Sequence, residues 1–489
     1  MDFSEFSKYK LLSKLQNSRM LDSSGKFKTW FAVLNLRDYS NDEFPDTGQI
    51  LDYIFEEIRL PEIKIFLLLI ERNVKEPWTG KDDLIHIQQL CEVKIKDAKN
   101  KQKSEIIKRG CVWKNIISSE YLNEIFVLNP NIPLESVAKN RQCVIVNINQ
   151  PLSLEVLNIP KPWGHEGWYT GFEKRGVVRV TDEYGKTELP HALDLFKKKL
   201  LADYSKSLIL LKTLNPFPED VVGDLYYEMH EKKWEVYVVT KIDRTAWPSG
   251  EGIIKAGVNP HKISKYQDNY ADKWSEIFIK DFKKAIYEYE KIRIKIDTSK
   301  EEVSKEISLK ELSLREKAAS FIGNCKVKVG DIISFPVFQI HSLRHGIKVI
   351  EFQTPHYERL ILMFAQKVIT QNKWDTADAL GKMKMEVYKK PEPKILKKTE
   401  GLLVERIVDF PQFSADRISL ECKNTWDEQL GGKYHLLINI SGCALVYPES
   451  GDAVFLNPEE ALFLPVGMRS YRLKSTGNLP LICLKAMPK

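Results

Sequence analysis

Two carboxylates and two imidazoles in this chain have the residue types and the spacing of a metal site. The four residues are Glu228, His230, Glu235 and His341. Three of them lie in residues 223–239, GDLYYEMHEKKWEVYVV, and the fourth lies in residues 330–346, GDIISFPVFQIHSLRHG. Oxygen and nitrogen donors of this kind suit a divalent ion such as zinc, manganese or iron.

The first segment has the pattern of a β-hairpin. Glu228 and His230 are two positions apart in an alternating run, so their side chains project from the same face of a strand. A tight turn at residues 231–233 and a returning strand at residues 234–239 would bring Glu235 back toward them. Such a hairpin would bring two carboxylates and an imidazole together at one point. The alternative is an edge hairpin whose charged side chains face solvent.

The second segment favours the metal site over the decorated hairpin. Gly330, Pro336 and His341 are spaced as turn, strand, rigid turn and strand, and the residues between them are mostly apolar. A histidine at the end of so apolar a run needs a partner, either a hydrogen bond or a metal ion. Two matched segments therefore predict one site.

Together the two segments resemble the two sequence motifs of the cupin superfamily. In the first motif, Glu228 stands where that family has its first histidine. In the second motif, Phe338 replaces an inner glycine. The positions that fit the second motif are Gly330, Pro336 and His341.

A narrower resemblance, over about residues 160–489, is to the type I phosphomannose isomerases, which are zinc cupins. That family carries a Gln-x-His pair, a Lys-x-Glu pair and a later histidine after a Gly-Asp strand. The matching stretches here are Glu228-Met229-His230, Lys233-Trp234-Glu235, Gly330-Asp331 before His341, KPWG at 161–164, EGIIKAG at 251–257, and VIEFQ at 349–353 followed by Arg359.

The resemblance implies a zinc-dependent isomerase that interconverts mannose 6-phosphate and fructose 6-phosphate. It implies the metal ligands Glu228, His230, Glu235 and His341, and the substrate-facing cations Lys233 and Arg359. Glutamate at position 228, where the family has glutamine, adds a negative charge to the site. Manganese or iron in place of zinc stays possible.

The two cations have ordinary alternatives. Lys233 is otherwise a turn lysine in water, and Arg359 is otherwise paired with Glu358 or Glu351. An aldose–ketose isomerase also needs a group that moves a proton between adjacent carbons. The candidates near the other site residues are His345, His356 and Glu358.

The predicted fold is mainly β, with two cupin (jelly-roll) barrels, a helical subdomain and an α+β N-terminal region. The helical segment splits the first barrel, and a Lys/Pro-rich linker precedes the second. The predicted units are an N-terminal region at 1–150, a metal-binding barrel at 151–260 and 322–381, a helical insertion at 261–321, and a metal-free barrel at 399–489.

The N-terminal region mixes strand and helix patterns. Strands are predicted at 29–36 and 62–74, an amphipathic helix at 50–58, and a long charged helix at 82–109. Its role is either that of a partner-binding module or that of an added wall of an enzyme. In the C-terminal barrel, Arg469 and Tyr471 lie where a ligand histidine is expected, and His435 reads as a structural residue.

Composition agrees with a cytoplasmic protein. The net charge of +7 arises from 74 basic and 67 acidic residues, so it predicts a mixed surface without a nucleic-acid motif. The seven cysteines are scattered without a Cys-x-x-Cys pair, which favours reduced thiols. No apolar run reaches the roughly 18 residues that span a bilayer, and the start lacks a signal peptide's apolar core.

Three functions fit these observations. The first is a metal-dependent isomerase of a phosphorylated sugar. The second is another chemistry of metal-binding cupins, such as iron-dependent oxidation, because two carboxylates and two imidazoles also suit iron. The third is a catalytically silent sugar-binding or regulatory protein. The oligomeric state stays open.

Overall fold

The fold is mainly β, with one helical segment and several sheets, as predicted. No described helix is both long enough and apolar enough to cross a membrane. The computed structural model describes residues 15–23, 27–38, 46–57, 64–96, 105–114, 122, 133–206, 208–368 and 370–489.

The N-terminal region forms a six-stranded sheet in the order β1-β2-β3-β4-β5-β6, in which β2 and β3 are parallel. The strands predicted at 29–36 and 62–74 and the helix predicted at 50–58 are confirmed, with shifted ends. The elements are β1 Leu15–Ser23, β2 Phe27–Asn35, α1 Thr47–Glu57, β3 Ile65–Lys75, β4 Leu84–Lys96, β5 Glu105–Trp113, α2 Pro133–Arg141 and β6 Val146–Asn147.

The helix predicted at 82–109 is wrong, because this stretch supplies the paired strands β4 and β5. The Lys-rich middle of the stretch, residues 97–104, lies outside the described residues. Glu92 is buried opposite Arg109 in the strand register and forms an ion pair with it. Arg109 also pairs with Glu135 of α2 at 2.5 Å. Charges that neutralise one another across neighbouring strands can lie in a sheet that is covered on both faces.

The next part of the chain contains short strands and two short helices. The elements are β7 Leu152–Glu155, β8 Leu157–Lys161, β9 Gly164–Trp168, β10 Phe172–Glu173, β11 Gly176–Val177, β12 Arg179–Thr181, β13 Lys186–Glu188, α3 Leu189–Leu195, α4 Lys197–Leu201 and β14 Leu210–Pro216. Short 3-10 helices occur at Pro77–Thr79, Ala202–Lys206 and Ala271–Lys273.

The central part contains the two segments of the predicted metal site, separated by the predicted helical insertion. The elements are β15 Tyr227–Met229, β16 Glu235–Ile242, β17 Gly252–Val258, α5 Pro260–Tyr270, α6 Trp274–Thr298, α7 Lys305–Ala319, β18 Ile322–Val327, β19 Ile332–Phe335, β20 His341–Ser342, β21 Ile347–Gln353, β22 Leu360–Met363 and α8 Thr376–Lys382.

The C-terminal part is all β. The elements are β23 Lys394–Thr399, β24 Leu402–Asp409, β25 Phe413–Leu420, β26 Thr425–Gln429, β27 His435–Ser441, β28 Ala444–Pro448, β29 Val454–Leu456, β30 Ala461–Leu464, β31 Ser470–Ser475 and β32 Leu481–Pro488.

Two pairs of facing sheets form two sandwiches. In the first sandwich, two sheets face each other across one apolar core. They are a six-stranded sheet, β19-β16-β21-β14-β9-β8, and a five-stranded sheet, β18-β17-β20-β15-β22. In the second sandwich, a nine-stranded sheet faces a four-stranded sheet. The strand orders are β13-β12-β7-β30-β27-β32-β25-β24-β23 and β26-β31-β28-β29. β7 pairs with β30 of the C-terminal part, and β12 and β13 extend the nine-stranded sheet beyond β7. The number of closed barrels and the unit boundaries stay predictions.

Each outer face of the first sandwich is covered. The outer face of the six-stranded sheet shares one core with the N-terminal sheet and with the nine-stranded sheet. The outer face of the five-stranded sheet packs against the helical insertion, where Phe278, Phe282 and Ile286 of α6 meet Tyr227 and Met229 of β15. The strands that carry the predicted metal ligands are therefore held on both sides, which restricts their movement.

Candidate metal centre

The strand, turn and returning strand predicted for this segment are present, but the predicted hairpin is wrong, because β15 and β16 lie in facing sheets and do not pair. The turn between them carries the donor groups into the interior of the first sandwich. Glu228 lies on β15 of the five-stranded sheet, in register with His341 on β20. His230 follows the end of β15, and Glu235 begins β16 in the facing sheet. His230, Glu235 and His341 are each 1% exposed. Polar groups so deeply buried require partners.

Backbone carbonyls orient both imidazoles. His230 Nδ1 lies 3.0 Å from the carbonyl oxygen of Glu358, and His341 Nδ1 lies 3.0 Å from that of Gln339. A ring nitrogen that faces a carbonyl oxygen carries the proton, so each Nε2 presents a lone pair when the ring is neutral. This is the arrangement by which metal-binding histidines are held in protein sites.

The two Nε2 atoms face the carboxylate of Glu235. The distance from His230 Nε2 to Oε1 is 3.4 Å, and that from His341 Nε2 to Oε2 is 3.2 Å. Neither Nε2 atom has a hydrogen-bond partner among the described residues. Ligand atoms of Glu228, His230 and His341 also lie within 4.8 Å of one another. Buried nitrogen lone pairs beside carboxylate oxygens form a donor set that suits a divalent metal ion.

Lys233 is a buried partner of Glu235, so its alternative as a turn lysine in water is wrong. Its Nζ lies 2.6 Å from Glu235 Oε1. Burial alone would lower the pKa of Lys233, but Glu235 and Glu228 outweigh it and raise this pKa to about 12. Burial would likewise raise the pKa of Glu235, but Lys233 and His230 lower it well below its usual range. Burial and Lys233 lower the pKa of His230, which keeps its ring neutral.

Arg359 does not form the alternative pairing with Glu358 or Glu351 in the described part of the chain. Its guanidinium lies over the ring of Tyr226, 4.4 Å from the centroid. One of its nitrogens lies 3.4 Å from the hydroxyl of Thr370. A cation that stacks on an aromatic ring keeps N–H groups free to bind an anion.

Glu358 instead binds the turn that connects β15 and β16. Its carboxylate accepts hydrogen bonds from the backbone N–H groups of Glu231, Lys232 and Lys233, at 2.8 to 3.2 Å. Its backbone carbonyl holds His230. One residue therefore fixes both the turn and an imidazole, an arrangement that the sequence does not predict.

The remaining candidates for proton transfer lie elsewhere. His345 Nδ1 lies 2.8 Å from Asp224 Oδ1, and its ring stacks on Trp247 at 4.8 Å between centroids. His356 is exposed. The structure therefore separates both histidines from the group formed by His230 and His341.

A row of polar side chains next to Glu235 was missed by the sequence prediction. On the inner face of the six-stranded sheet, Tyr237, Glu351, Lys212 and Trp168 stand in register across four neighbouring strands. Lys212 Nζ lies 4.0 Å from Glu351 Oε2. Burial, and then the nearby Glu235, raise the pKa of Glu351 well above its usual range. The signal in the sequence is the single carboxylate inside the apolar run VIEFQ.

Further basic residues continue this row. Lys161, from the KPWG stretch, lies 3.4 Å from Glu166. The guanidinium of Arg175 lies 5.2 Å from the ring of Trp168. Burial, followed by repulsion from Arg175 and Lys212, lowers the pKa of Lys161 even though Glu166 opposes the change. Arg175 also pairs with Glu173, so each cation of this row stands beside a carboxylate.

Two other groups of three possible metal ligands occur in the described residues, and in both a basic side chain forms ion pairs with the carboxylates. Glu76, Glu188 and His191 form one group, in which Lys114 lies 2.7 Å from Glu76 and 3.2 Å from Glu188. The other group is Asp220, Asp224 and His345, in which Arg344 pairs with Asp224. Each is accounted for as an ion-pair network.

In the second sandwich, His435 and Tyr471 face each other, with 6.2 Å between ring centroids. Burial, and then Lys485 and Lys433, lower the pKa of His435 well below its usual range. Arg469 lies just before β31. That this sandwich binds no metal stays a prediction.

No protein-family model matches the sequence, and a search of curated protein sequences found no match. Solved structures do resemble its fold. A point mutant of phosphomannose isomerase from Salmonella typhimurium is 12% identical, with a TM-score of 0.51 over 69% of this chain and 99% of that one. The mannose 6-phosphate isomerase from Bacillus subtilis is 13% identical, with a TM-score of 0.47 over the same shares. At such identities, the likeness to the Salmonella enzyme shows a common fold alone.

Proposed function

We propose that this protein is a metal-dependent aldose–ketose isomerase that acts on a phosphorylated sugar. The observation that carries the proposal is the pair of carbonyl-held imidazoles that present Nε2 lone pairs to Glu235. The fold shared with phosphomannose isomerases directs the choice of reaction. Mannose 6-phosphate and fructose 6-phosphate are the first pair of substrates to test.

The proposed metal ligands are Glu228, His230, Glu235 and His341, and zinc is the first metal to test. A bound divalent cation would act as a Lewis acid on the carbonyl and hydroxyl oxygens of the sugar. Two carboxylates, in place of one carboxylate and one amide, add negative charge to the site. They should strengthen binding of a dication and moderate its Lewis acidity.

Lys233 is proposed to act at the sugar oxygens. The reaction moves one hydrogen from C2 to C1 of the sugar and shifts a proton between the two oxygens. Negative charge develops on those oxygens along the way. A buried ammonium beside Glu235 would stabilise that charge without having to be reorganised during the reaction.

Arg359 is proposed to bind the phosphate group. Its stacking on Tyr226 supports this role because the ring fixes the guanidinium plane and leaves N–H groups available. Two parallel N–H groups match two oxygens of a phosphate. Lys161 and Lys212 add positive charge to the same interior.

The test is a coupled assay of mannose 6-phosphate conversion to fructose 6-phosphate by the purified chain. Activity should disappear with a chelator and return with zinc. Metal analysis separates zinc from iron, and iron would favour oxidation chemistry. A protein that is fully loaded with zinc and still inactive would rule out the isomerase.

Two variants test the assigned roles. Arg359→Gln should raise KM for the sugar phosphate far more than it lowers kcat, because its contact is with the phosphate rather than the reacting carbons. Arg244→Gln, which removes an exposed arginine, is the matched control and should leave both constants unchanged. An unchanged KM in the Arg359 variant would contradict the phosphate assignment.

A further inference from the structure

A second cavity lies behind the metal centre, on the outer side of the five-stranded sheet. Its volume is about 260 Å³, and it separates strands of this sheet from helices α6 and α7. Three basic side chains line it: Lys255 on β17, Arg315 on α7 and Arg344 just after β20. It contains none of the four proposed metal ligands.

The ammonium of Lys255 has no hydrogen-bond or ion-pair partner among the described residues. Its neighbours Ile254 and Ala256 point into the core of the first sandwich, so the alternation of β17 directs Lys255 into the cavity. Burial, and then repulsion from Arg344, lower the pKa of Lys255 to about 8, although Asp224 opposes the change. A half-buried lysine with this surplus of positive charge favours a counter-ion.

The two arginines converge on the same space. Arg344 pairs with Asp224 and also reaches the hydroxyl of Tyr227 at 3.1 Å. Nε of Arg315 forms an ion pair with Glu311 Oε1 at 3.4 Å. The terminal guanidinium nitrogens of Arg315 donate no hydrogen bond in the described part of the chain, which leaves them available to an anion.

Carboxylates also line the cavity, and Arg344 pairs with both Asp224 and Asp220. Lys255 is the basic side chain without a carboxylate partner among the described lining residues. Asp224 is already engaged by Nδ1 of His345 at 2.8 Å and by its backbone N–H at 3.1 Å, besides Arg344. Asp220, with a 71% exposed side chain, and the exposed Glu316 lie in contact with solvent. Their charges are therefore screened, whereas those of the inner cations are less so.

We propose that this cavity binds a small oxyanion with the chemistry of a phosphate group, held by Lys255, Arg315 and Arg344. Guanidinium and ammonium groups are the side chains that bind phosphate oxygens most strongly. The cavity is slightly smaller than the roughly 300 to 1,000 Å³ of sites for drug-sized ligands, so it suits free phosphate or a small phosphate monoester.

The position of the site relates it to the metal centre without merging the two. Tyr227 directly precedes the proposed ligand Glu228, and Lys255 stands opposite Ser342, next to His341. An anion there would contact the back of the strands that carry two metal ligands. Its binding does not depend on the metal or on the proposed isomerase activity.

The experiment measures how fast Lys255 is acetylated in the full chain by N-hydroxysuccinimidyl acetate at pH 8, with peptide mass spectrometry as the readout. With a pKa of about 8, about half of the amine is neutral and reactive. A bound phosphate should raise this pKa toward the ordinary value of about 10.4, which leaves less than about one hundredth neutral. Saturating inorganic phosphate should therefore slow acetylation of Lys255 at least tenfold.

Lys326, an exposed lysine on the neighbouring strand β18, is the internal control and should react at the same rate throughout. Sodium chloride at equal ionic strength should not protect Lys255. Glycerol phosphate is the second arm, and whichever compound protects at the lower concentration identifies free phosphate or a monoester as the ligand.

Arg315→Gln should raise the phosphate concentration needed for half-protection at least tenfold. The proposal is overturned if phosphate leaves the rate at Lys255 unchanged, if chloride protects equally, or if Lys326 is protected to the same extent. It is also overturned if the Arg315 variant retains full protection. None of these outcomes bears on the isomerase assay, so the two proposals fail separately.

Discussion

The first and the second sandwich both bury charged side chains between facing sheets, yet they arrange them to opposite effect. In the first, Nε2 of His230 and Nε2 of His341 face one carboxylate, that of Glu235, which also pairs with Lys233. The interior of the first sandwich therefore holds a group of donor atoms that could bind a metal ion.

In the second sandwich, the charges compensate one another. Lys485 lies 3.1 Å from Asp416 and 2.9 Å from Glu428, and Arg406 also pairs with Asp416. Arg406, Asp416 and Lys485 stand in register on neighbouring strands of the nine-stranded sheet. This interior is closed by its own ion pairs. Similar architecture thus carries two different interiors: one brings two imidazoles to a carboxylate, and the other pairs its carboxylates with lysine and arginine.

The largest effect is expected from breaking the network of the second sandwich. Lys485→Met leaves the half-buried Glu428 without this cation and the buried Asp416 with Arg406 alone, which should cost about 3 kcal/mol of unfolding free energy. Metal content, measured well below the unfolding temperature, should not change. The control is Lys474→Met, on the exposed outer face of β31, which should alter stability little. A variant that keeps its stability but loses metal would reverse the roles assigned to the two sandwiches.

The next effect is expected in the first sandwich. His341→Ala removes one of the proposed ligands. Mutation of a residue that only hydrogen-bonds to a metal ligand already lowers metal affinity by about 10- to 100-fold. Zinc affinity should fall at least about 100-fold, which corresponds to about 2.7 kcal/mol. Competition with a chromogenic chelator measures the change. His435→Gln, at the buried histidine of the second sandwich, should retain the affinity of the unmodified chain, and equal losses in both variants would abolish the distinction.

The strand, turn and strand that carry Glu228, His230 and Glu235 were predictable because their pattern is local, but their division between two facing sheets was not. Alternation places Glu228 and His230 on one face, and the three residues of the turn return the chain at Glu235. Lys212 and Glu351 were not predictable, because they meet only through the order of β14, β21 and β16 in the sheet. Pairing between strands that are distant in the chain produces no local sequence pattern from which it could be predicted.

The helix predicted over β4 and β5 failed for a related reason. Dense charge in a sequence is usually solvated, but Glu92 and Arg109 neutralise each other across paired strands. That pairing depends on the register between two strands, which no local pattern reports. For the same reason, the sequence did not predict that β7, β12 and β13 belong to the sheet of the C-terminal part.

A smaller effect is expected from the residue that positions the first site. Glu358→Gln removes the negative charge that accepts hydrogen bonds from three N–H groups of the turn at residues 231–233, although its backbone carbonyl still faces His230. Zinc affinity should fall about tenfold, within the range for partners that orient ligands. Glu231→Gln, at the neighbouring turn residue that pairs with Lys382, is the matched control. If both variants bind zinc equally well, these hydrogen bonds do not position the ligands.

The smallest effect is a pH dependence that belongs to the second sandwich. The folded-state pKa of His435 is lowered by burial, and then by Lys485 and Lys433, so the folded protein keeps this ring neutral below pH 6.5. The unfolded chain takes up the proton near its ordinary pKa of about 6.5. Stability is therefore fully present above that value and is lost as pH falls below it toward the folded-state pKa. Between pH 7.5 and pH 6.0 the loss due to His435 should be about 0.8 kcal/mol.

His435→Gln should remove that loss, whatever its effect on stability at pH 7.5. The measurement is the difference in unfolding free energy between the two pH values, compared between the unmodified chain and the variant by denaturant titration. His261→Gln, at an exposed histidine of α5, should leave the difference unchanged. A variant with the same pH dependence as the unmodified chain would mean that His435 can accept a proton in the folded state. The second sandwich would then hold a titrating imidazole, and its interior would resemble the first more closely than its ion pairs indicate.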